Sequence, residues 1–234
     1  MNYEKINELV KTYESVVKVV DKKASEEEHR AYGGVVRSVK GWLQEHLTEE
    51  IIKIAWENVG GNNSRIEINS QKQMIPIKKD YIIKIQDEEI KNFILENITD
   101  YFYGLSVDKQ IFIDNNFVIG IECKAYTENA MIKRILVDFS LLKTIFPQLQ
   151  CYLFQLESQL GGDYSELKKI TFGSTSTHTL MSYFPDVSLN IFTFLKGERK
   201  VDKPIHKYEH FKPIEKDKLI EAVELISEDI KRFL

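Results

Sequence analysis

The chain has 234 residues, 43% of them hydrophobic, enough for one substantial core. Its formal net charge of -4 gives no bulk attraction for nucleic acid, so a nucleic-acid enzyme would have to gather its 32 Lys and Arg residues on one face. No run approaches the roughly 18 to 20 apolar residues of a membrane span, and Met1-Asn2-Tyr3-Glu4-Lys5 opens no signal-peptide stretch, so a soluble, cytoplasmic protein with no membrane partner is expected.

Residues 2–22 place Ile6, Leu9, Val10, Tyr13, Val16, Val17 and Val20 at spacings of three and four, a helix facing the core. Ser25 followed by Glu26, Glu27 and Glu28 reads as the cap and acidic first turn of a second helix. That helix runs to about His46, kinked or split at Gly33-Gly34. Arg30, Arg37 and Lys40 share one side of it and read as a solvated face. Thr48-Glu49-Glu50 opens a third helix ending near Trp56. Residues 59–65 are a loop by composition, in which Asn62, Asn63 and Arg65 carry groups suited to base edges, although such loops often only turn. Short strands are expected over 65–69 and 81–85. Residues 87–97 are amphipathic, with Ile90, Phe93, Ile94 and Ile98 in a helical stripe.

Residues 106–124 read as a hairpin. A strand over 107–113 meets Asp114-Asn115-Asn116, residues that tolerate positive φ and bond their own backbone, and a second strand follows over 117–124. Alternation puts Phe117, Ile119, Ile121 and Cys123 on one apolar face and Val118, Gly120, Glu122 and Lys124 on the other. Gly120 leaves room beside the charged pair for something to approach. Pairing can bring Asp108 near Glu122. Two carboxylates are hard ligands suited to Mg²⁺, which activates water and stabilises charge on a phosphoryl oxygen. A lysine beside them can orient that water and neutralise the transition state. This is equipment for hydrolysing a phosphodiester.

Thr127 is expected to cap a helix over 128–146, with Met131, Ile135, Phe139, Leu142 and Phe146 in one stripe and Lys133 and Arg134 near its start. Pro147 stops it, and residues 150–156 form a strand that the crossover should lay parallel to the Glu122 strand. Cys123 and Cys151 fall in predicted strands and are expected to be buried thiols, with neither a disulfide nor a zinc site. Residues 170–178 are dense in hydroxyls; Ser176, Thr177 and His178 can bond phosphates or bases, and His178 equally reads as a structural histidine with its bonds satisfied inside the fold. After a buried strand over 187–195 comes the strongest basic run, 196–207, with Arg199, Lys200, Lys203, His206 and Lys207, the preferred DNA-contacting segment. A last helix over 213–234 buries Leu219, Val223, Ile226, Ile230 and Phe233.

Asp108, a gap of 13 residues, then Glu122-Cys123-Lys124 after an apolar run resembles the PD-(D/E)XK nuclease motif, whose most familiar members are type II restriction endonucleases. Val107 stands where the motif has proline, and Asp114 is a rival for the first acidic place, disfavoured by its position in the turn. The helix and strand that follow extend the resemblance over 104–157, and the hydroxyl-rich segment, strand and basic loop also look like some restriction enzymes. The resemblance implies an α/β fold (an α+β mixed sheet flanked by helices) with a restriction-endonuclease-like core. It implies one nuclease domain, 1–234, with a mainly helical part over 1–100, a catalytic core over 104–157 and a C-terminal strand, basic loop and helix over 165–234. It further implies Mg²⁺ held by Asp108, Glu122 and the Cys123 carbonyl, with Lys124 positioning water. The expected enzyme is a homodimer cutting palindromic double-stranded DNA. The alternatives are a structure-specific repair or recombination nuclease of the same superfamily, or a non-catalytic DNA-binding or interaction protein. The sequence offers no Ser/His/Asp constellation, phosphate-cradling glycine loop or dinucleotide fingerprint for another enzyme class.

Overall fold

Apolar spacing of three and four builds the first layer. In the computed structural model, which describes residues 1–26, 30–203 and 208–234 and the side chains outside 24–37 and 204–208, α1 (Tyr3–Glu26) buries Ile6, Leu9, Tyr13 and Val17. It packs with α2 (Arg30–Asn58), and α7 (Lys216–Ile230), near the C-terminus, completes the layer. The second and third helices expected from the sequence are one continuous α2. Thr48, expected to open the third, is buried within it with its hydroxyl 3.3 Å from Cys123 Sγ. Lys40 is not on a solvated face: it is buried and pairs with Asp21 of α1 at 2.7 Å. The side chains of Arg30 and Arg37, and Glu27, Glu28, His206 and Lys207, lie outside the described residues.

Under that layer lies a five-stranded sheet, ordered β1 (Ile66–Asn69), β4 (Lys109–Ile113), β5 (Asn116–Thr127), β6 (Gln150–Ser158), β7 (Leu189–Thr193). The β1, β4 and β5 strands pair antiparallel, and β5, β6 and β7 pair parallel. The helix that crosses from β5 to β6, α5 (Asn129–Lys143), covers the opposite face with Ile132, Ile135, Leu136, Phe139 and Leu142. This is the mixed sheet flanked by helices that the sequence implies, with the parallel strand where the crossover requires it. The α5 cap differs from expectation: Thr127 is the last residue of β5, and Glu128 takes the cap position.

Because both faces are covered, β5 is apolar on both sides, as central strands are. The expected single apolar face therefore needs correction. The register shifts between Ile111, opposite Ile119, and Phe112, opposite Phe117, leaving Val118 as a bulged extra residue. Phe117 consequently turns away from Ile119 and toward α5, where its ring stacks on Phe112 and meets Phe146 edge-on. Val118, Ile119 and Ile121 face the α1/α2/α7 layer. The turn itself is two residues, Asp114 (φ 49°) and Asn115 (φ 63°), and Asn116 already pairs with Ile113.

Between β1 and β4 the chain leaves the sheet. It forms β2 (Gln73–Pro76), α3 (Lys79–Lys84), α4 (Glu88–Glu96) and β3 (Phe102–Leu105), with β2 and β3 paired as a separate ribbon. The strand expected over 81–85 is thus the helix α3. The Asp87 carboxylate caps α4 by accepting from the Glu89 and Ile90 amides. The hydroxyl-rich segment forms α6 (Thr175–Ser182), capped by Ser174. Cys123 and Cys151 are free thiols, pushed up to about 12 by burial. No helix among the described residues is long and apolar enough to cross a membrane.

Candidate active site

The β4–β5 register places the site. Lys109 lies opposite Ile121, so Asp108, one residue before β4, lies across from Glu122. Its Oδ2 accepts the Cys123 amide at 2.7 Å, which closes the end of the ladder and fixes the carboxylate beside β5. Lys124 leaves β5 on the same side as Glu122, and its Nζ donates to Asp108 Oδ2 at 2.9 Å, to Glu122 Oε2 at 2.5 Å and to the Cys123 carbonyl at 3.1 Å. The sequence-expected group of Asp108, Glu122, Cys123 and Lys124 is therefore brought together. Asp114, the rival carboxylate, is six residues along, roughly 20 Å at strand rise. Gly120 is needed here for packing: a Cβ on it would come within 2.9 Å of the Phe139 ring.

The charges do not balance. The two carboxylate oxygens lie within about 5.4 Å of each other, the reach of their contacts to Nζ end to end. At such separations two like charges repel by roughly 3 kcal/mol near a protein surface, and one ammonium neutralises only one of them. Burial, then the Asp108 charge, raises the Glu122 carboxyl above the usual range, against the pull of Lys124. Burial draws Lys124 down, but Glu122 and Asp108 outweigh it and hold the ammonium above the ordinary lysine value. Lys124 thus stays charged at neutral pH. The oxygens of Asp108, Glu122 and the Cys123 carbonyl converge within 3.1 Å of one point, a hard-oxygen set with excess negative charge that fits a divalent cation.

Two neighbours were not singled out from the sequence. Asp138 on α5 is buried, its carboxyl raised by burial against its pairing with Arg134, and its charge reaches Glu122 and Lys124. Its only sequence signal is an acid among the apolar positions of α5. Gln155 of β6 lies opposite Lys124; its amide donates to Thr193 Oγ1, and its buried Oε1 has no hydrogen-bond partner among the described residues. A lone glutamine in the apolar run Cys151 to Leu156 was the visible trace.

The expected DNA-contacting residues fall into two groups. At the C-terminal ends of β5 and β6, near the site, the Arg199 guanidinium lies 3.8 Å over the Tyr126 ring and donates to Gln159 Oε1 at 2.5 Å. Tyr126 shares the Glu122 and Lys124 side of β5 by alternation, ~7 Å along the strand from Lys124. Arg199, Lys200 and Lys203 line a cavity of about 420 Å³ with Lys196, His210 and Lys212. Ser176 and His178 are exposed on α6, the His178 ring against the Phe172 carbonyl. Thr177 is buried and holds α6 to the start of α5 by donating to Asn129 Oδ1 at 2.7 Å. The other group, Asn62, Asn63 and Arg65, is not brought to the site. Arg65 sits at the far end of the hairpin, its Nη2 2.6 Å from Asp114 Oδ2 and 2.8 Å from the Phe233 carbonyl. The loop's composition follows from its turn: Gly60 has φ +79°, a Cβ on Gly61 would strike the Trp56 ring, and the Asn62 side chain accepts from the Ser64 amide.

By sequence the chain belongs to the type II restriction enzymes. Over 231 residues, 97% of this chain and 96% of the relative, it is 53% identical to the type II restriction enzyme DdeI of Desulfomicrobium norvegicum. No family model matches the chain. Among solved structures it is similar to the type IIF restriction endonuclease Bse634I, crystallised with cognate DNA, at 13% identity and a TM-score of 0.39, covering 94% of this chain and 85% of that one.

Proposed function

We propose that this chain is a Mg²⁺-dependent endonuclease that hydrolyses phosphodiester bonds at specific sites in double-stranded DNA, acting as a homodimer. The observation that carries the reading is the convergence of Asp108, Glu122 and the Cys123 carbonyl on one point beside Lys124. Those three oxygens would hold the metal, which when bound lowers the pKa of a water and neutralises charge on a phosphoryl oxygen. Lys124 supplies a permanent ammonium at the same place. Its donors here go to Asp108, Glu122 and Cys123, so it acts on a water or a phosphate by exchanging at least one of these contacts. The basic cavity around Arg199, Lys200 and Lys203 suits the phosphate backbone, with Ser176 and His178 as additional contacts. Asn62, Asn63 and Arg65 take no part in this reading, since the fold commits Arg65 to Asp114 and Phe233.

The test is cleavage of a long unmethylated DNA of mixed sequence, with Mg²⁺, with EDTA, and with Lys124→Ala. The expected result is a set of discrete fragments that disappears with EDTA, and a rate at least about 10³-fold lower in the variant, the scale of a lost acid–base or charge-stabilising group. A smear, or cutting confined to branches, would show that the chain does not read sequence. Equal cleavage by Lys124→Ala would remove the site assignment.

A further inference from the structure

In the stretch from β2 through β3, apolar patterning is not answered by burial. The α4 stripe turns Ile94 inward, but Ile90 and Phe93 remain 54% and 60% exposed. On α3, Ile82 is buried while Tyr81 and Ile83 are 60% and 70% exposed, and on β3 Phe102 and Tyr103 are 43% and 59% exposed. Helices α3 and α4 pack on each other, but no described element covers their outer side. Phe102 and Tyr103 leave β3 on opposite faces, so only one of them can join the helices' outer side; with aromatic side chains carrying 150–250 Å² each, that leaves on the order of 500 Å² of exposed, mainly apolar side chain. That lies at the upper end of what solitary domains expose and supplies over half of the ~800 Å² that one partner gives to a stable interface.

Charge selects the occupant. Lys78, Lys79 and Lys84 lie exposed along α3, with Asp80 among them, and Asp87, Glu88 and Glu89 lie exposed at the start of α4. A basic helix beside an acidic helix start is self-complementary: under a two-fold rotation the α3 of one copy meets the α4 of the other. The same acids repel a phosphate backbone, so DNA fits this surface poorly.

We infer that a second copy of this chain docks on the α3–α4 arm, making the arm the homodimer interface. This rests on the homodimer in the proposed function and names its surface. The arm is built into the site: β3 ends at Leu105, buried with Ile75 and Val107 against the α5 layer, and Asp108 follows directly. Pairing through the arm therefore holds the stem that carries the first carboxylate.

The test is sedimentation velocity of the full chain over a wide concentration range, without DNA or metal, beside the double variant Ile90→Asp/Phe93→Asp. Both side chains are exposed, so the variant should keep its circular dichroism spectrum and melting transition. The expected result is a wild type at twice the 27.4 kDa chain mass and a variant at one chain mass, with self-association at least about 100-fold weaker because a two-fold interface counts each substitution twice. A wild type that stays monomeric at tens of micromolar overturns the inference, as does a variant that dimerises equally well. A monomeric wild type whose variant binds DNA less tightly would give the arm to DNA and also overturn it. Since neither DNA nor metal is present in the sedimentation arm, its outcome is separate from that of the cleavage test.

Discussion

The β4–β5 hairpin carries an aspartate–cation pair at each end, and the two do opposite things. At the turn, Asp114 meets Arg65 one for one, exposed, and the remaining reach of the guanidinium goes to the Phe233 carbonyl. Arg65 holds Asp114 below the usual carboxylate range, chiefly by hydrogen bonding. At the other end, Asp108 and the buried Glu122 share a single Lys124, and Glu122 is raised. A balanced, solvated pair is a staple for a turn. Two carboxylates sharing one ammonium leave negative charge unspent, and that surplus is what can hold a cation.

The comparison breaks most directly at Glu122. Glu122→Gln keeps the shape and removes the surplus charge, so cleavage should fall at least about 10³-fold while the fold keeps or gains stability. The pH dependence follows in sign. A carboxyl whose folded pKa is raised holds its proton above the pH at which the unfolded chain releases it. Its ionisation therefore costs stability as pH rises from the ordinary glutamate range through the raised value. A divalent cation removes that cost. The gain in melting temperature on adding Mg²⁺ should grow with pH toward neutrality in the wild type and be nearly flat in Glu122→Gln. A flat gain in the wild type would take Glu122 out of the ligand set.

A second, smaller effect concerns how the strand is held. Gly120→Ala forces a methyl against Phe139, and overpacking of this kind costs about 1–3 kcal/mol. Denaturant unfolding should show that loss, with cleavage reduced where α5 shifts from Glu122. The smallest effect belongs to the turn. Asp114→Ala removes the Arg65 partner and places alanine at φ 49°, so the melting temperature should drop slightly while cleavage stays within about twofold of wild type. A large loss of cleavage in Asp114→Ala would restore it as the first acidic residue.

The hairpin and its charged group were legible because short-range rules fix them: a cluster, Asp114-Asn115-Asn116, that tolerates positive φ, and alternation that puts Glu122 and Lys124 on one side. The crossover to β6 was legible for the same reason, since handedness and the Pro147 stop leave few options. The Val118 bulge was not, because it depends on which residues of β4 pair with β5. Neither was the continuity of α2, where packing against the sheet overrides a hydroxyl that resembles a cap. The Tyr81-Ile82-Ile83 run has strand-forming side chains, yet it forms α3, an example of context overruling β-propensity. Lys40 looked solvated because its partner, Asp21, is on another helix.

The position of Lys124 has a consequence for how a metal would arrive. Its ammonium already occupies the three oxygens proposed as ligands, which makes it a tethered competitor. Loading is then an exchange of one cation for another and not the filling of a void. The resting chain needs no ion to keep these carboxylates apart, so chelation should leave the protein folded. Apparent affinity would be set by how well a divalent cation outcompetes that internal rival for the three oxygens, and the displaced lysine would be left beside the metal with its donors released.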